Sequence, residues 1–209
     1  MNTDQIGSWF EIGIAAAAII SGLIIGGWKI FLNWRKRFYR RVEEQSNFVN
    51  TKIWELLSEL RITYKASRVT LVQFHNGGTY MDGTSMRKMS ISHQSCDPKI
   101  TSDMVFRQDV LVSRFVEIIE MLHNNDPQVF IVKEMKDSNS KKAYDLHDTL
   151  GFSILPIYAI DSLIVYGYIS LEWCDLNVLD TIDELVMIER HEDVRDQIGY
   201  LLNSQTHHR

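Results

Sequence analysis

The segment FHNGG at residues 74–78 carries the polar side chains best suited to chemistry in this chain. His75 can exchange a proton near neutral pH, and the Asn76 amide both donates and accepts hydrogen bonds. Asn76, Gly77 and Gly78 tolerate positive φ, so a tight turn alone would explain them. A turn does not explain His75. Three alternatives therefore remain: a purely structural turn, the rim of a ligand pocket in which His75 and Asn76 donate hydrogen bonds, and a catalytic role.

Two predicted strands position these side chains. RVTLVQF at residues 68–74 is rich in β-branched residues and predicts a strand that ends at the turn, with Gln73 and His75 on one face. RKMSISHQS at residues 87–95 alternates apolar and polar residues and predicts a second strand, which carries His93. We therefore expect a binding site for an unknown ligand that draws on six residues: Gln73, His75, Asn76, Gly77, Gly78 and His93.

No other pattern indicates catalysis. The acidic runs at residues 180–184 and 189–193 have helical spacing and predict solvated helix faces, with His191 exposed among acids. The DLHD stretch at residues 145–148 has no glycine-rich or nucleophile context. No HExxH, phosphate-loop or GxSxG motif occurs in the sequence. We therefore predict that the protein is not an enzyme.

The histidines and cysteines do not indicate a metal site or a disulfide framework. His75, His93 and Cys96 are metal-ligand types that could converge, but nothing in their spacing demands a metal. Cys96 and Cys174 are far apart and form no CxxC motif, which predicts two reduced, half-buried thiols. We expect no bound metal, and no motif in the sequence indicates which cofactor, if any, the protein binds.

The rest of the chain alternates helices and strands. Periodicity predicts, in order, a connecting helix over 38–64, a helix over 108–126, a strand over 128–132, a helix over 140–151 capped by Gly151, a hairpin around the Asp161-Ser162 turn and a helix over 178–202. This order predicts an α+β fold in which helices from both chain ends pack on one face of an antiparallel sheet. The connecting helix has an apolar seam, which predicts either a short coiled coil or packing on the following domain. The seam consists of Val49, Ile53, Leu56, Leu60 and Thr63.

An uncharged apolar stretch near the N-terminus predicts a membrane-spanning helix. Residues 12–28 carry no charge, and with the next apolar residues the stretch reaches about 20 residues, enough to cross a hydrocarbon core. Aromatic residues flank both ends, as in the aromatic belts of membrane proteins. We therefore predict a transmembrane helix over residues 12–32. Gly22 and Gly26 form a GxxxG pattern, which favours association of two such helices, although small residues are also common in membrane helices generally.

The charges that flank this stretch predict its orientation. Residues 1–11 contain no Lys or Arg, whereas a basic cluster follows the stretch. The cluster consists of Arg35, Lys36, Arg37, Arg40 and Arg41. The positive-inside rule places the N-terminus outside and the C-terminal domain in the cytoplasm, at the inner membrane. The same cluster would be attracted to anionic headgroups at the membrane surface.

The chain is acidic from Val42 onward. Six of the 22 basic residues and two of the 27 acidic residues precede Val42, which leaves 16 basic and 25 acidic residues and a net charge of −9. Nucleic-acid binding depends on neutralising phosphates with Lys and Arg. A domain with this charge is therefore a poor candidate for that function.

The segment GFSILPIYAIDSLIVYGYISLEW at residues 151–173 resembles the end of a GAF domain. The family's pattern is matched at four positions, namely Gly151, Ser153, Pro156 and Gly167. The order of elements from residue 45 to residue 203 also resembles that of GAF and PAS-like sensory domains. The resemblance implies a GAF-like antiparallel sheet flanked by N- and C-terminal helices. The cyclic-nucleotide signature of the family is missing, and no cysteine occupies an obvious chromophore position.

A second resemblance is to the holins of T-even phages, which have one N-terminal transmembrane helix and a soluble domain. In that family the soluble domain faces the periplasm, opposite to the orientation that the charges predict here. Our main expectation is a membrane-anchored cytoplasmic sensory or scaffolding protein that binds a small molecule or a protein partner and self-associates through its transmembrane and connecting helices. The alternatives are a phage holin that forms membrane lesions for host lysis, and a structural membrane adaptor without a ligand.

The predicted organisation has four parts. They are a short extracytoplasmic N-terminus (1–11), a transmembrane helix (12–32), a basic juxtamembrane segment with the connecting helix (33–64), and a GAF-like α+β domain (65–209).

Overall fold

The computed structural model divides the chain into two compact units, Met1–Phe48 and Val49–Arg209. The backbone is described for residues 3–81, 83, 85–124, 128–158 and 164–206. The side chains of residues 3–26 and 205–206 lie outside the description.

The first unit is helical from residue 3 to its end and belongs to α1 (Thr3–Thr63). An exposed aromatic row follows one side of it, with ring centroids 5.8–6.4 Å apart. The row consists of Trp28, Phe31, Trp34 and Phe38. The five residues of the basic cluster are all exposed. In the part of the chain that is described, no helix combines the length and apolar character needed to cross a membrane.

Most of the predicted membrane span lies outside the residues to which this finding applies. The span over residues 12–32 falls within α1, but its side chains up to Gly26 lie outside the described residues. The surroundings of Gly22 and Gly26 lie outside them as well. The membrane span and the association through these glycines therefore stay predictions.

The second unit contains one six-stranded antiparallel sheet with helices on both faces. Its strands are β1 (Arg68–Thr79), β2 (Ser85–Cys96), β3 (Val110–Leu111), β4 (Phe130–Ile131), β5 (Gly151–Tyr158) and β6 (Val165–Trp173). They lie in the order β3-β2-β1-β6-β5-β4. The remaining helices are α2 (Val116–Asn124), α3 (Asn139–Leu146) and α4 (Glu184–Thr206), with short 3-10 segments at Val112–Arg114, Val132–Glu134 and Leu176–Thr181.

One sheet face packs against α1 and α4, as predicted. The side chains that α1 buries there come from the predicted seam and its neighbour, namely Val49, Ile53, Leu57 and Leu60. α4 contributes Met187, Val194 and Ile198, and the sheet contributes inward residues such as Leu71 and Ile169. Of the two interpretations of the seam, this contact is packing on the following domain. The predicted α+β class, with terminal helices on one face, is confirmed.

The opposite face packs against α2 and α3. β1, β2, β5 and β6 contribute alternate side chains to it, because neighbouring strand residues point to opposite faces. These side chains include Val72, Ile91, Phe152 and Tyr168. Tyr144 of α3 stacks on Phe152 with ring centroids 4.1 Å apart. This second face holds the cavity described below.

The FHNGG segment does not end a strand, so the predicted turn is wrong. β1 continues to Thr79, and its pairing with β2 slips between Asn76 and Thr79. Asn76 pairs with Arg87 and Thr79 pairs with Ser85, so β1 advances by three residues where β2 advances by two. This extra residue in β1 is a β-bulge. Gly78 has φ +113, the left-handed region that glycine enters at low cost. The paired glycines therefore serve a bulge within a strand instead of a turn at its end.

Three other predicted elements differ from the structure. The helix predicted over 178–202 begins only at Glu184, after a 3-10 segment over Leu176–Thr181. The segment 108–126 begins with β3 and a 3-10 turn, and α2 starts only at Val116. Gly151 does not cap α3, which ends at Leu146, but is the first residue of β5. The predicted hairpin of β5 and β6 is confirmed, while its Asp161-Ser162 turn lies outside the described residues.

Two residues of the GAF-like pattern have clear structural roles. A Cβ on Gly167 would collide with the Val72 carbonyl oxygen of the neighbouring strand, so only glycine fits there. Pro156 lies on β5 beyond the two residues that pair with β4. Its missing N–H therefore falls where β5 has no second partner strand among the described residues.

His191 is buried, which overturns the predicted exposed position. Its side chain has no exposed area, and neither ring nitrogen has a well-directed hydrogen-bond partner among the described residues. Burial, and to a smaller extent the nearby charge of Arg195, lower the pKa of His191 to about 3, although the Ile169 backbone acts in the opposite direction. The imidazole is therefore neutral in the folded protein at ordinary pH.

His191→Leu should make the protein less sensitive to acid. Below the unfolded-state pKa of about 6.5, His191 binds a proton in the unfolded chain but not in the folded chain. Acid therefore favours the unfolded chain, and the free energy of unfolding decreases as the pH falls towards 3. Between pH 6.5 and about pH 5 the wild type should lose about 2 kcal/mol more than the variant. Urea denaturation of the full chain at both pH values measures this difference.

Met187→Leu is the matched control, since Met187 is buried on the same helix and does not titrate. Its stability relative to wild type should not depend on pH. Equal acid sensitivity of wild type and His191→Leu would contradict the neutral, buried state of His191.

Candidate functional site

A buried carboxylate, Glu172 of β6, connects the sheet to the loops of the second face. Arg68 of β1 donates to it from Nε at 3.2 Å, and the Thr149 hydroxyl donates to the same oxygen at 3.0 Å. Both Arg68 and Glu172 have side chains that are at most 1% exposed. Arg68 also donates to the His147 carbonyl at 2.7 Å and to the Thr101 carbonyl at 3.3 Å. One guanidinium thus joins β1 to the loop after β2 and to the end of α3.

A second guanidinium, that of Arg107, approaches Glu172 from the loop between β2 and β3. Its Nη1 donates to Glu172 Oε1 at 3.0 Å. Its Nε lies 2.7 Å from the buried Asp103 carboxylate, although the N–H is not well directed at that oxygen. The guanidinium also lies over the Tyr144 ring, 5.4 Å from its centroid. The two arginines and two carboxylates together form a charge-balanced network, which we call the buried charge network.

The network shifts the pKa of Glu172 and that of Arg107 in the directions that favour their charged forms. Burial raises the pKa of Glu172, but the positive charges of Arg107 and Arg68 outweigh that effect, so its pKa lies below the ordinary value. Burial lowers the pKa of Arg107, but Glu172 and Asp103 outweigh it and raise that pKa above the ordinary value. Glu172 and Arg107 are therefore both ionised at neutral pH.

A cavity of about 400 Å³ lies beside the network, between the sheet and the two short helices. We call it the apolar cavity. Its floor is formed by Val72, Met89, Ile91 and Tyr168, and its helical wall includes Phe115, Ile118, Ala143 and Tyr144. Phe106 and Leu146 also line it, yet they are 69% and 76% exposed. Two large apolar side chains are thus left in solvent at its opening.

Several lining side chains of the apolar cavity are polar, and three of them are cations. Arg107 lies on its inner side, and Arg114 and Lys142 lie at the exposed rim. The Tyr168 hydroxyl has the Met89 sulfur at 4.0 Å as its hydrogen-bond partner, and a thioether is a weak acceptor. Burial raises the pKa of Tyr168 to about 12, so this hydroxyl keeps its proton and can donate.

A neighbouring cavity of about 410 Å³ shares Phe106, Leu146 and His147 with the apolar cavity. Its own lining includes Lys99 and the half-buried thiol of Cys174. Burial lowers the pKa of His147, so the partition between the two cavities carries a neutral imidazole.

Gln73 and His75 lie on the other face of the sheet from the apolar cavity. Phe74, between them, packs with the cavity-face cluster, so alternation directs its two neighbours the opposite way. His75 Nε2 lies 2.8 Å from the Ser90 hydroxyl and 3.8 Å from the Asp109 carboxylate, and its side chain is 38% exposed. Neither residue is among those that line the cavity.

The other four predicted site residues are also away from the apolar cavity. His93 pairs with Leu71 on the face that packs against α1, where its Nε2 lies 3.2 Å from Asn50 Oδ1. Burial lowers the pKa of His93. Asn76, Gly77 and Gly78 form the bulge of β1. The structure therefore does not gather the six residues at one cavity, and a role for them in binding stays a prediction.

Metal binding finds no support in the geometry. Among the described residues, no group of three His, Cys, Asp or Glu side chains is placed to hold an ion. Both cysteines are free and half-buried.

The sequence did carry one signal for the network. Arg68 and Glu172 are the single charges of two segments that are otherwise mainly apolar, RVTLV and ISLEW. A charge that a strand buries needs a partner of opposite sign, so such residues point to each other. Arg107 and Asp103 lie in a loop and carry no such signal.

The fold is that of GAF domains. A far-red cyanobacteriochrome photoreceptor aligns with a TM-score of 0.57 and 10% identity, covering 82% of this chain and 96% of that one. A phycoerythrobilin-bound GAF domain from a cyanobacterial phytochrome aligns at 0.55 and 13%, covering 82% and 93%. The blue-light-absorbing PixJ GAF domain of Thermosynechococcus elongatus aligns at 0.54 and 10%, covering 78% and 91%.

No protein-family model and no curated protein matches the sequence. The structural neighbours confirm the GAF-like fold that the pattern at residues 151–173 predicts. They give no support to the resemblance to holins.

Glu172→Gln should destabilise the fold strongly. The substitution removes the only full negative charge shared by Arg68 and Arg107, and a buried charge that loses its partner costs about 3–5 kcal/mol. We expect a correspondingly lower urea midpoint for the full chain at neutral pH. Glu120→Gln on α2 is the control, because its exposed carboxylate should contribute within about 0.5 kcal/mol. A change of less than about 1 kcal/mol, which is the size of a surface effect, would show that the network does not hold the second face.

Proposed function

We propose that this protein is a sensory module whose second unit binds a small molecule in the apolar cavity. The observation that carries the proposal is the cavity itself. It has a volume of about 400 Å³, within the range of small-molecule sites, and lies between the sheet and α2 and α3. Phe106 and Leu146 at its opening are apolar and exposed, so a ligand there would remove them from water.

The structural neighbours support a ligand on this fold. One of them is a GAF domain with bound phycoerythrobilin, and another holds biliverdin IXα. A bilin attached through a thiol does not fit the apolar cavity of this chain, because neither cysteine lines it. The proposal therefore takes from the neighbours the use of the fold for ligand binding and leaves out their chromophore.

The buried charge network offers a connection from the cavity to α1. The His147 carbonyl at the end of α3 accepts from Arg68, which begins β1. Glu172 is followed by Trp173, whose Nε1 donates to the Tyr64 carbonyl at 3.0 Å, directly after α1. A ligand that shifts the end of α3 would act on these contacts, and we propose that they carry the response to α1.

We also propose that the first unit attaches this module to the inner membrane, with the second unit in the cytoplasm. An exposed aromatic row and an exposed basic cluster on the first unit suit the interface of an anionic bilayer. We further propose that the module self-associates through its transmembrane and connecting helices. A C-terminal reporter enzyme that is active in the periplasm instead of the cytoplasm would overturn the orientation.

Filling the apolar cavity should abolish binding. Ala143→Phe places a ring in the cavity from α3. A protein-free small-molecule extract of the cells that produce the protein should raise the melting temperature of the wild-type full chain, but not that of this variant. A ligand present at 100 times its dissociation constant would stabilise the wild type by about 2.7 kcal/mol. Native mass spectrometry of the same samples identifies the bound mass.

Leu185→Phe is the matched control, since Leu185 is exposed on α4 and does not line the cavity. It should respond to the extract as the wild type does. An equal response from Ala143→Phe, or no response from the wild type, would contradict a ligand in this cavity.

A further inference from the structure

We propose that the ligand of the apolar cavity is a small aromatic carboxylate, whose charge lies at the rim beside Arg114 and Lys142 and whose ring lies on the floor. This inference rests on the proposed function and names the class of molecule that the same cavity accepts. Four features of the lining support it: its charge, the availability of its cations, its aromatic content and its deep hydroxyl.

The charge of the lining is opposite to that of the domain around it. From Val42 onward acidic residues outnumber basic ones by 25 to 16. The 17 lining residues nevertheless include three cations, Arg107, Arg114 and Lys142, and no carboxylate. A lining with the composition of the domain would carry more acids than bases. The cavity is therefore selective for an anion against the background of an acidic domain.

The three cations differ in how far neighbouring carboxylates already neutralise their charge. Arg107 is held by Asp103 and Glu172, so its charge is balanced within the network. Lys142 lies 3.4 Å from Asp137, but both side chains are mostly exposed and such a pair is weak. Arg114 forms no ion pair with any residue that the structure describes. The charge available to a ligand thus lies at the rim, on Arg114 and Lys142.

The interior of the cavity suits a flat apolar body. Four of its lining residues are aromatic, namely Phe106, Phe115, Tyr144 and Tyr168. The floor adds Val72 and Ile91, and the helical wall adds Ile118. Rings bury large areas and pair with other rings in offset or edge arrangements. An aromatic ligand gains more from these walls than a flexible polar anion of the same charge.

The Tyr168 hydroxyl adds one polar contact at depth. It is buried, and its hydrogen-bond partner is the weakly accepting sulfur of Met89 at 4.0 Å. A ring substituent with an acceptor oxygen would receive a stronger hydrogen bond there. The cavity therefore offers a cationic rim, an aromatic middle and a deep donor, in that order.

A matched set of three probes tests the charge preference. The probes are 2-naphthoate, 2-naphthalenemethanol and 2-naphthylmethylammonium, which share one ring system and differ in charge. Isothermal titration of the full chain at neutral pH and low salt should give the anion an affinity at least tenfold above that of the alcohol, with the ammonium weakest. Added salt should reduce the advantage of the anion, because the rim is exposed.

Variants then locate the preference. Arg114→Gln combined with Lys142→Gln should lower naphthoate affinity about tenfold and leave the affinity for the alcohol unchanged. Lys133→Gln combined with Lys136→Gln is the control, because both lysines are exposed, lie outside the cavity lining and change the net charge equally. This control pair should bind naphthoate as the wild type does.

Several outcomes would overturn the inference. They are equal or tighter binding of the alcohol or the ammonium, an equal loss in the control pair, and no binding of any probe. The Ala143→Phe variant distinguishes a wrong ligand class from a wrong binding site. If it abolishes binding of the alcohol while the anion shows no advantage, the cavity binds ligands but has no preference for anions. If it changes the binding of no probe, the cavity is not the site.

Discussion

The second face of the sheet depends on one buried carboxylate. Glu172 is fully buried and is held by Arg68, Arg107 and Thr149. Removing a carboxylate from water costs several kcal/mol, and two guanidinium groups with directed hydrogen bonds offset that cost. Because Arg68 also holds the His147 carbonyl, the same carboxylate ties together β1, β6, the loop that carries Arg107 and the end of α3. Without it, Asp103 would be the one carboxylate left to balance the two arginines, and the network would carry one uncompensated positive charge.

This arrangement also explains why a cavity can exist beside the network. The charged groups satisfy one another on one side, so the lining on the other side can be mainly apolar. The end of α3 is joined to the sheet by the contact of Arg68 with the His147 carbonyl and by the stack of Tyr144 on Phe152, whereas α2 packs on the sheet through apolar side chains such as Ile118. What this leaves open is a space with an aromatic interior and cations at its rim. The sensory function that we propose rests on that space.

The sequence predicts the parts of the fold that depend on local pattern. The hairpin of β5 and β6 and the packing of both terminal helices on one face follow from strand alternation and helical periodicity, and the structure confirms them. The FHNGG segment was misassigned because Asn-Gly-Gly suits a bulge as well as a turn. His191 was misassigned because its acidic neighbours dominate the local pattern, although it lies on the inner side of α4. The cavity could not be predicted, since its walls come from segments that only the tertiary fold brings together.

The central claim is that Glu172 stays ionised in the interior because two arginines share it. The most direct test is a pH titration of the Glu172 side-chain carboxyl carbon by NMR in the folded full chain. The account predicts a pKa below the value of about 4.3 found for glutamate in unstructured peptides. A pKa above that value would show that burial outweighs the arginines, and it would contradict the account.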